Sequence, residues 1–172
     1  MTNREMIRLN LEKLVIEPLL KKGFTGRYPH FRREYNGYIE LISFQTNKWG
    51  GSFTVEISAV FPNSNNKNYV EYEGQDLSQL TVWDTNKRYR LKGMYDGWFY
   101  YRNVYEKRFR RLGKTYFDVN EKQAAGFIAP KGYKLVQTFD ESVAIKICNE
   151  VNKQLAQAFK RLSRYEKRNF TK

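Results

Sequence analysis

The 24 residues from Tyr38 to Phe61 constrain the fold of this chain more than any other stretch. From Phe53 onward apolar side chains take every second position, Phe53, Val55, Ile57, Ala59 and Phe61, alternating with Thr54, Glu56, Ser58 and Val60. Side chains alternate sides along a strand, so this run predicts one core face and one mostly polar face, with Thr54 tolerant of change. Tyr38 to Thr46 is apolar on both faces, Ile39 and Leu41 on one and Ile42 and Phe44 on the other. That is the pattern of an interior strand covered on both sides. Asn47-Lys48-Trp49-Gly50-Gly51 joins the two, and its glycines accept the positive φ a hairpin connection needs.

A chain of 172 residues suits one domain, residues 1–172, and buries roughly 70% of its unfolded surface without staples. Aromatic residues, 16% of the chain, must supply much of that core. The lone Cys148 excludes an internal disulfide and predicts a reducing, cytoplasmic setting. The first residues carry no signal-like apolar run, and no stretch approaches the ~20 apolar residues of a membrane span, so no membrane partner is expected. Net charge is +13 and unevenly spread: residues 87–115 hold ten Lys or Arg against two acids, whereas 62–86 hold one Lys against four acids. Such a field draws polyanions or acidic proteins and says nothing about fold.

Along the chain, Thr2-Asn3-Arg4-Glu5 reads as a capping box opening a helix with Met6, Leu9, Leu14 and Val15 on its stripe and Leu11 off it. The helix should end near Lys21-Lys22-Gly23, with Pro18 a difficulty inside it. Phe31 to Tyr35 reads as a strand, Asn36-Gly37 as a two-residue turn, and Tyr69 to Glu73 as a further edge strand. Arg88 to Leu91 reads as a strand before a Gly93–Gly97 turn. Trp98, Tyr101, Tyr105, Phe109 and Leu112 fall at helical spacing and predict a helix stopped by Gly113, against the strand preference of Trp98 to Tyr101. Strands follow at Thr115–Val119 and Tyr133–Gln137. A second capping box at Thr138 to Glu141 opens the last helix, whose stripe is Val143, Ile147, Val151, Leu155, Ala158, Phe159 and Leu162.

Several of these segments carry a resemblance. Gly23-Phe24, Phe31-Arg32-Arg33-Glu34, Ile39 to Gln45, Lys48-Trp49-Gly50 and Phe53 to Ile57 are similar to the signature of the domain-of-unknown-function family 4304. That signature is an N-terminal helix, a Gly-Phe before an aromatic-Arg strand, an apolar strand ending in Gln, a Lys-x-Trp-Gly turn and an alternating strand. The likeness covers about residues 5–61, with Arg88 to Leu91 and Trp98 as looser counterparts. A Cys-His pair common in the middle of members is absent, since His30 and Cys148 lie far apart in the sequence. The resemblance implies a fold and no activity.

Few residues carry chemistry. His30 is the only histidine, so no site needing two can form within one chain, and it reads as a polar residue opening a strand. Cys148 reads as core. Gly113-Lys114-Thr115 lacks the upstream glycine of a phosphate-binding loop, and no acid stands two residues before a lysine as in one common nuclease type. Trp49 reads as folding back over the sheet, with an exposed interface contact as the competing role. Lys107-Arg108-Phe109-Arg110-Arg111, with Tyr101 and Tyr105 nearby, is the sharpest site: arginine and lysine suit phosphates and tyrosines stack on bases. The competing role for this block is a solvated face lying along Glu71, Glu73 and Asp76.

The sequence therefore predicts an α+β chain with an antiparallel sheet of four or more strands centred on residues 38–61, and the first and last helices on one face. The expected function is non-enzymatic binding of an anionic partner, nucleic acid or an acidic protein, without cofactor, metal or catalytic residue. The alternatives are a small enzyme using a sheet carboxylate such as Glu40 or Glu56, and an immunity-type protein that neutralises a partner. The oligomeric state is left open.

Overall fold

A computed structural model describes residues 1–35, 37–62, 76–95 and 97–170, with side chains except at 121, 163 and 165–170. The expected strand Tyr69–Glu73 lies outside the described residues. The elements are mixed helices and antiparallel sheets with a helix at each end, as the hydrophobic patterns predict. They group into two compact units, one of Met1–Ile16, Thr46–Thr54 and Lys92–Glu150, the other of Glu17–Gln45, Val55–Leu91 and the residues from Val151 onward.

In the first unit, α1 (Asn3–Leu11) starts at the expected box: Glu5 N donates to Thr2 Oγ1 and Thr2 N to Glu5 Oε2. Its buried residues are Ile7 and Leu11, one turn apart, while Leu9 is exposed, so the stripe takes in Leu11 instead of Leu9 and continues into Val15 as expected. A π turn over Glu12–Ile16 precedes α2 (Glu17–Lys21) of the second unit. Pro18 therefore lies directly after the π turn of an unbroken helical run, where the altered hydrogen-bond spacing accommodates its missing N–H.

β1 (Thr25–Arg27), β2 (His30–Tyr35), β3 (Tyr38–Thr46), β4 (Ser52–Val60) and β5 (Tyr89–Arg90) are adjacent in that order, and all but Thr46 and Ser52–Thr54 fall in the second unit. Partners across β2 and β3 include His30 with Ser43, Phe31 with Ile42, Arg32 with Leu41 and Arg33 with Glu40. Cross-strand partners share a face, so Phe31, Arg33, Glu40 and Ile42 lie on one side and His30, Arg32, Leu41 and Ser43 on the other. Phe24 and Phe159 of α4 (Glu141–Phe170) meet on the Arg33 side. Leu80 and Val82, in a segment with 3-10 turns at Leu77–Gln79 and Val82–Asp84, pack with Ile39, Leu41 and Val60.

All nine residues of β4 are buried. The mostly polar face of this strand is therefore covered too, and its polar residues need partners: Glu56 finds Arg90 at 2.8 Å, Ser58 finds the carbonyl of Lys87, and Thr54 Oγ1 finds none among the described residues. An orphaned buried hydroxyl is costly, whereas a methyl in its place is not. Thr54→Val should leave the protein as stable or up to about 1 kcal/mol more stable in urea unfolding, and Ile57→Val should cost about 0.5–1.5 kcal/mol. A large loss at Thr54 would mean that its hydroxyl has a partner.

The first unit also contains β6 (Phe99–Tyr100), paired to the start of β4, and a separate sheet in the order β8-β7-β9, formed by β7 (Asn103–Phe109), β8 (Gly113–Val119) and β9 (Lys134–Gln137), with the short α3 (Glu121–Ala124) between β8 and β9. The helix expected over Trp98 to Leu112 is thus two strands and a turn. Gly113 has φ +78°, a conformation that suits a hairpin as well as a helix stop, so the punctuation was right and the element wrong. Tyr101 and Arg102 separate β6 from β7, so the aromatics at helical spacing are divided between two strands and the residues around them. α4 is capped by Asp140, whose Oδ1 accepts from Val143 N and Ser142 Oγ, in place of the expected Thr138 box. Ala144, Ile147, Cys148, Val151, Leu155 and Ala158 are its buried residues. Among the described residues no helix is long and apolar enough to cross a membrane.

Candidate anion-binding face

Strand geometry splits the basic block that reads as continuous in sequence. Along β7, Tyr105, Lys107 and Phe109 point to one side and Glu106 and Arg108 to the other. On the first side Tyr105 stacks on Phe117 with centroids 5.1 Å apart, Phe127 lies 5.2 Å from Tyr105, and Tyr133 meets Phe117 at 4.8 Å. The Lys107 ammonium sits 4.9 Å from the Phe109 centroid and donates to the carbonyl of Lys131 at 3.2 Å. These rings form a satellite core, so Tyr105 and Lys107 are engaged within the fold. Tyr101, also expected at a site, is 5% exposed and packs on Phe139.

The opposite side has a different character. Register places Arg108 beside Lys114 on β8 and Glu106 between Tyr116 on β8 and Lys134 on β9. Tyr95 packs on Tyr116 at 5.2 Å and donates from its hydroxyl to the carbonyl of Val136. Glu106 accepts from Lys114 at 2.8 Å, which holds the carboxyl below its ordinary range and the ammonium above its own. Burial, with the nearby Glu106 charge, pushes the Tyr95 phenol up, and burial followed by the Glu106 hydrogen bond does the same for Tyr116. Both rings therefore stay neutral at ordinary pH. Asp118 is taken by Arg102 at 2.9 Å. With its acids engaged, this side leaves Arg108 and Lys134 without a hydrogen bond or ion pair among the described residues, and Arg110 and Arg111 stand exposed at the β7–β8 turn.

Trp49 is 76% exposed at the β3–β4 turn, so it does not fold back over a sheet as expected. Its backbone is fixed instead: Arg102 Nη2 donates to its carbonyl at 3.2 Å. Gly51 has φ +83°, and a Cβ there would meet the Arg102 side chain and Asp118 Oδ2 at 2.6 Å, so the turn requires glycine. Lys114 and Lys134 escaped the sequence reading because only strand pairing brings them to the Arg108 side of β7, and Tyr95 because it reaches that side only by packing on Tyr116. Alternation within β7 was the available signal against a continuous basic face.

Glu40 and Glu56, the example sheet carboxylates of the enzyme alternative, are ion-paired. Glu40 is held by Arg33 and Glu56 by Arg90, with Arg88 at 3.6 Å. Cys148 is buried, and burial pushes its thiol up to about 12, far from a reactive thiolate. Among the described residues no three His, Cys, Asp or Glu side chains are grouped to hold a metal ion. Asp76, a candidate internal counter-charge, accepts from Ser78 N and Ser78 Oγ, while Glu71 and Glu73 lie outside the described residues.

The domain of unknown function DUF4304 matches residues 15–108, more than half of the chain. The protein belongs to the DUF4304 family. The match reaches beyond residues 5–61, where the sequence resemblance was clearest, through β5 and β6 into β7. Within this DUF4304 chain, Lys114 and Lys134 of the cationic sheet side lie past the matched segment. No curated protein and no solved structure matches the chain.

Proposed function

We propose that this DUF4304 protein is a non-enzymatic, cytoplasmic binding protein for an anionic partner, and that the partner is single-stranded nucleic acid held on the Arg108 side of β8-β7-β9. The observation that carries the reading is the placement of Arg108, Lys114 and Lys134 around the Tyr95–Tyr116 pair, with the acids of that side already engaged. Cations along a sheet meet phosphates, and neutral tyrosines between them offer stacking surfaces to bases. The cytoplasmic setting rests on the one reduced, buried thiol.

The test is titration of a fluorescent single-stranded oligonucleotide over a range of salt. Affinity should fall with salt by roughly 0.7 log units per log unit of salt for each phosphate met. Tyr116→Ala should weaken binding by about 1–3 kcal/mol for the base it stacks, with the salt slope unchanged. No binding at low salt overturns the nucleic-acid reading; tighter salt-sensitive binding to an acidic polypeptide such as polyglutamate would move the partner to that class.

A further inference from the structure

We propose that the cleft around His30 is a binding site for a small phosphate monoester carrying a planar ring. The cleft has a volume of about 680 Å³ and lies between the β1–β2 hairpin and the segment Ser78–Thr81. That is the size range of small-molecule sites. All of the cleft's residues fall within the segment matched by DUF4304.

Register puts Arg27 directly across from His30, so both side chains stand on one face of the hairpin, with Arg32 next along it. Arg32 is held in place, Nη1 donating to the carbonyl of Leu77 at 2.7 Å and Nη2 lying 3.7 Å from Glu34. Arg27 is exposed and makes no hydrogen bond or ion pair among the described residues. The nearby carboxylates are occupied: Asp84 accepts from Thr81 N and Thr81 Oγ1, and Asp76 from Ser78. What remains on offer at that end is one guanidinium fork, which matches an oxyanion.

His30 is a built group rather than a loose strand opener. Its Nδ1 lies 2.8 Å from the Oγ of Ser43, a residue 1% exposed, and its ring meets Trp83 edge-on at 4.7 Å. Nε2 makes no hydrogen bond and is not among the buried orphan atoms, so it stays within reach of solvent and ligand. Burial lowers the imidazole below its ordinary 6.5, with the Asp84 charge opposing, so at neutral pH it is uncharged. Pro29 supplies an apolar wall and Leu80, 3% exposed, the floor, while the rings of Tyr28 and Phe31 turn to Phe44 on the other side of the sheet. A ring fits this apolar part while its phosphate meets Arg27 and His30. Phosphate is preferred to carboxylate because a monoester's second ionisation, near about 6, lets it share a proton with imidazole.

Because His30 is the only histidine, its ring gives one resolved Hε1 signal in proton NMR. Adenosine monophosphate should shift that signal saturably and raise the imidazole pKa, since a nearby anion favours the charged ring. Inorganic phosphate should compete, and adenosine and benzoate should bind at least about tenfold more weakly. Arg27→Gln should weaken the monophosphate about tenfold while keeping the free-state signal, and Gln79→Trp, a bulky change at the cleft wall, should block it. Arg108→Gln should leave it unchanged. The proposal is overturned if the monophosphate produces no saturable shift at millimolar concentration, if adenosine or benzoate binds equally well, or if Arg27→Gln retains wild-type affinity.

Discussion

Arg33→Met should cost the fold about 3–5 kcal/mol at neutral pH, because it leaves a buried carboxylate without its partner. Glu40 is 1% exposed, and its Oε2 accepts from Arg33 Nε at 2.8 Å and Nη2 at 2.5 Å, while Tyr38 donates to Oε1 at 3.3 Å. The same guanidinium donates to the carbonyl of Lys22 and lies over Phe24 at 4.6 Å and Tyr35 at 4.8 Å, so one side chain ties β2 to its surroundings. Burial raises the Glu40 carboxyl above its ordinary 4.5, and the Arg33 hydrogen bond and charge oppose the rise. A carboxyl whose folded pKa is raised holds its proton more tightly folded than unfolded. Its contribution is therefore fully present below 4.5 and declines as pH rises through the window up to the raised value. Removing Arg33 removes the opposing causes and widens that window.

The deficit of Arg33→Met should thus be smallest in acid, where Glu40 is protonated, and grow towards neutral pH. Urea unfolding at several pH values measures it, and a deficit independent of pH would show that Glu40 is not the group left stranded. Arg33→Met combined with Glu40→Leu should recover much of the loss, since two apolar residues of similar volume replace a buried pair at little cost.

The main sheet was legible because its signal is local. Alternation at Phe53 to Phe61, two-faced apolarity at Tyr38 to Thr46 and glycine-marked turns all lie within a few residues of the contacts they dictate. What the pattern could not show was burial of the polar side of β4, because the covering residues Leu80 and Val82 are remote in sequence and lie in 3-10 turns without periodicity. The basic block was legible only in part. Five basic and aromatic residues from Lys107 to Arg111 look like one patch, yet strand geometry sends Lys107 and Arg108 to opposite sides, and Lys134 joins Arg108 only through β9. Aromatics at helical spacing misled the reading of Trp98 to Leu112, since the strand preference of Val104, Tyr105 and Phe109 won once β8 and β9 were there to pair.

That division of the basic block makes the strongest test of the proposed function. Arg108, Arg110, Arg111 and Lys134 changed together to Gln stay polar and remove four charges from the Arg108 side of the β8-β7-β9 sheet and the β7–β8 turn. If each meets a phosphate of a single strand, the slope of log affinity against log salt should flatten by about 2.8, that is roughly 0.7 for each. A fourfold rise in salt weakens wild-type binding through those contacts by roughly 50-fold, and the variant should lack that part of the loss. Lys107→Gln should change the slope little, because its ammonium already donates to Lys131 and rests over Phe109 and Tyr133. Sequence adjacency predicts the reverse, a similar loss from Lys107 and Arg108. Equal flattening by Lys107→Gln and by Arg108→Gln would therefore sink the one-sided site and leave a diffuse positive field that any polyanion can feel. Unfolding in urea must stay within about 0.5 kcal/mol of wild type for the quadruple variant, as expected of exposed side chains without partners, so that lost affinity reports on contacts and not on stability.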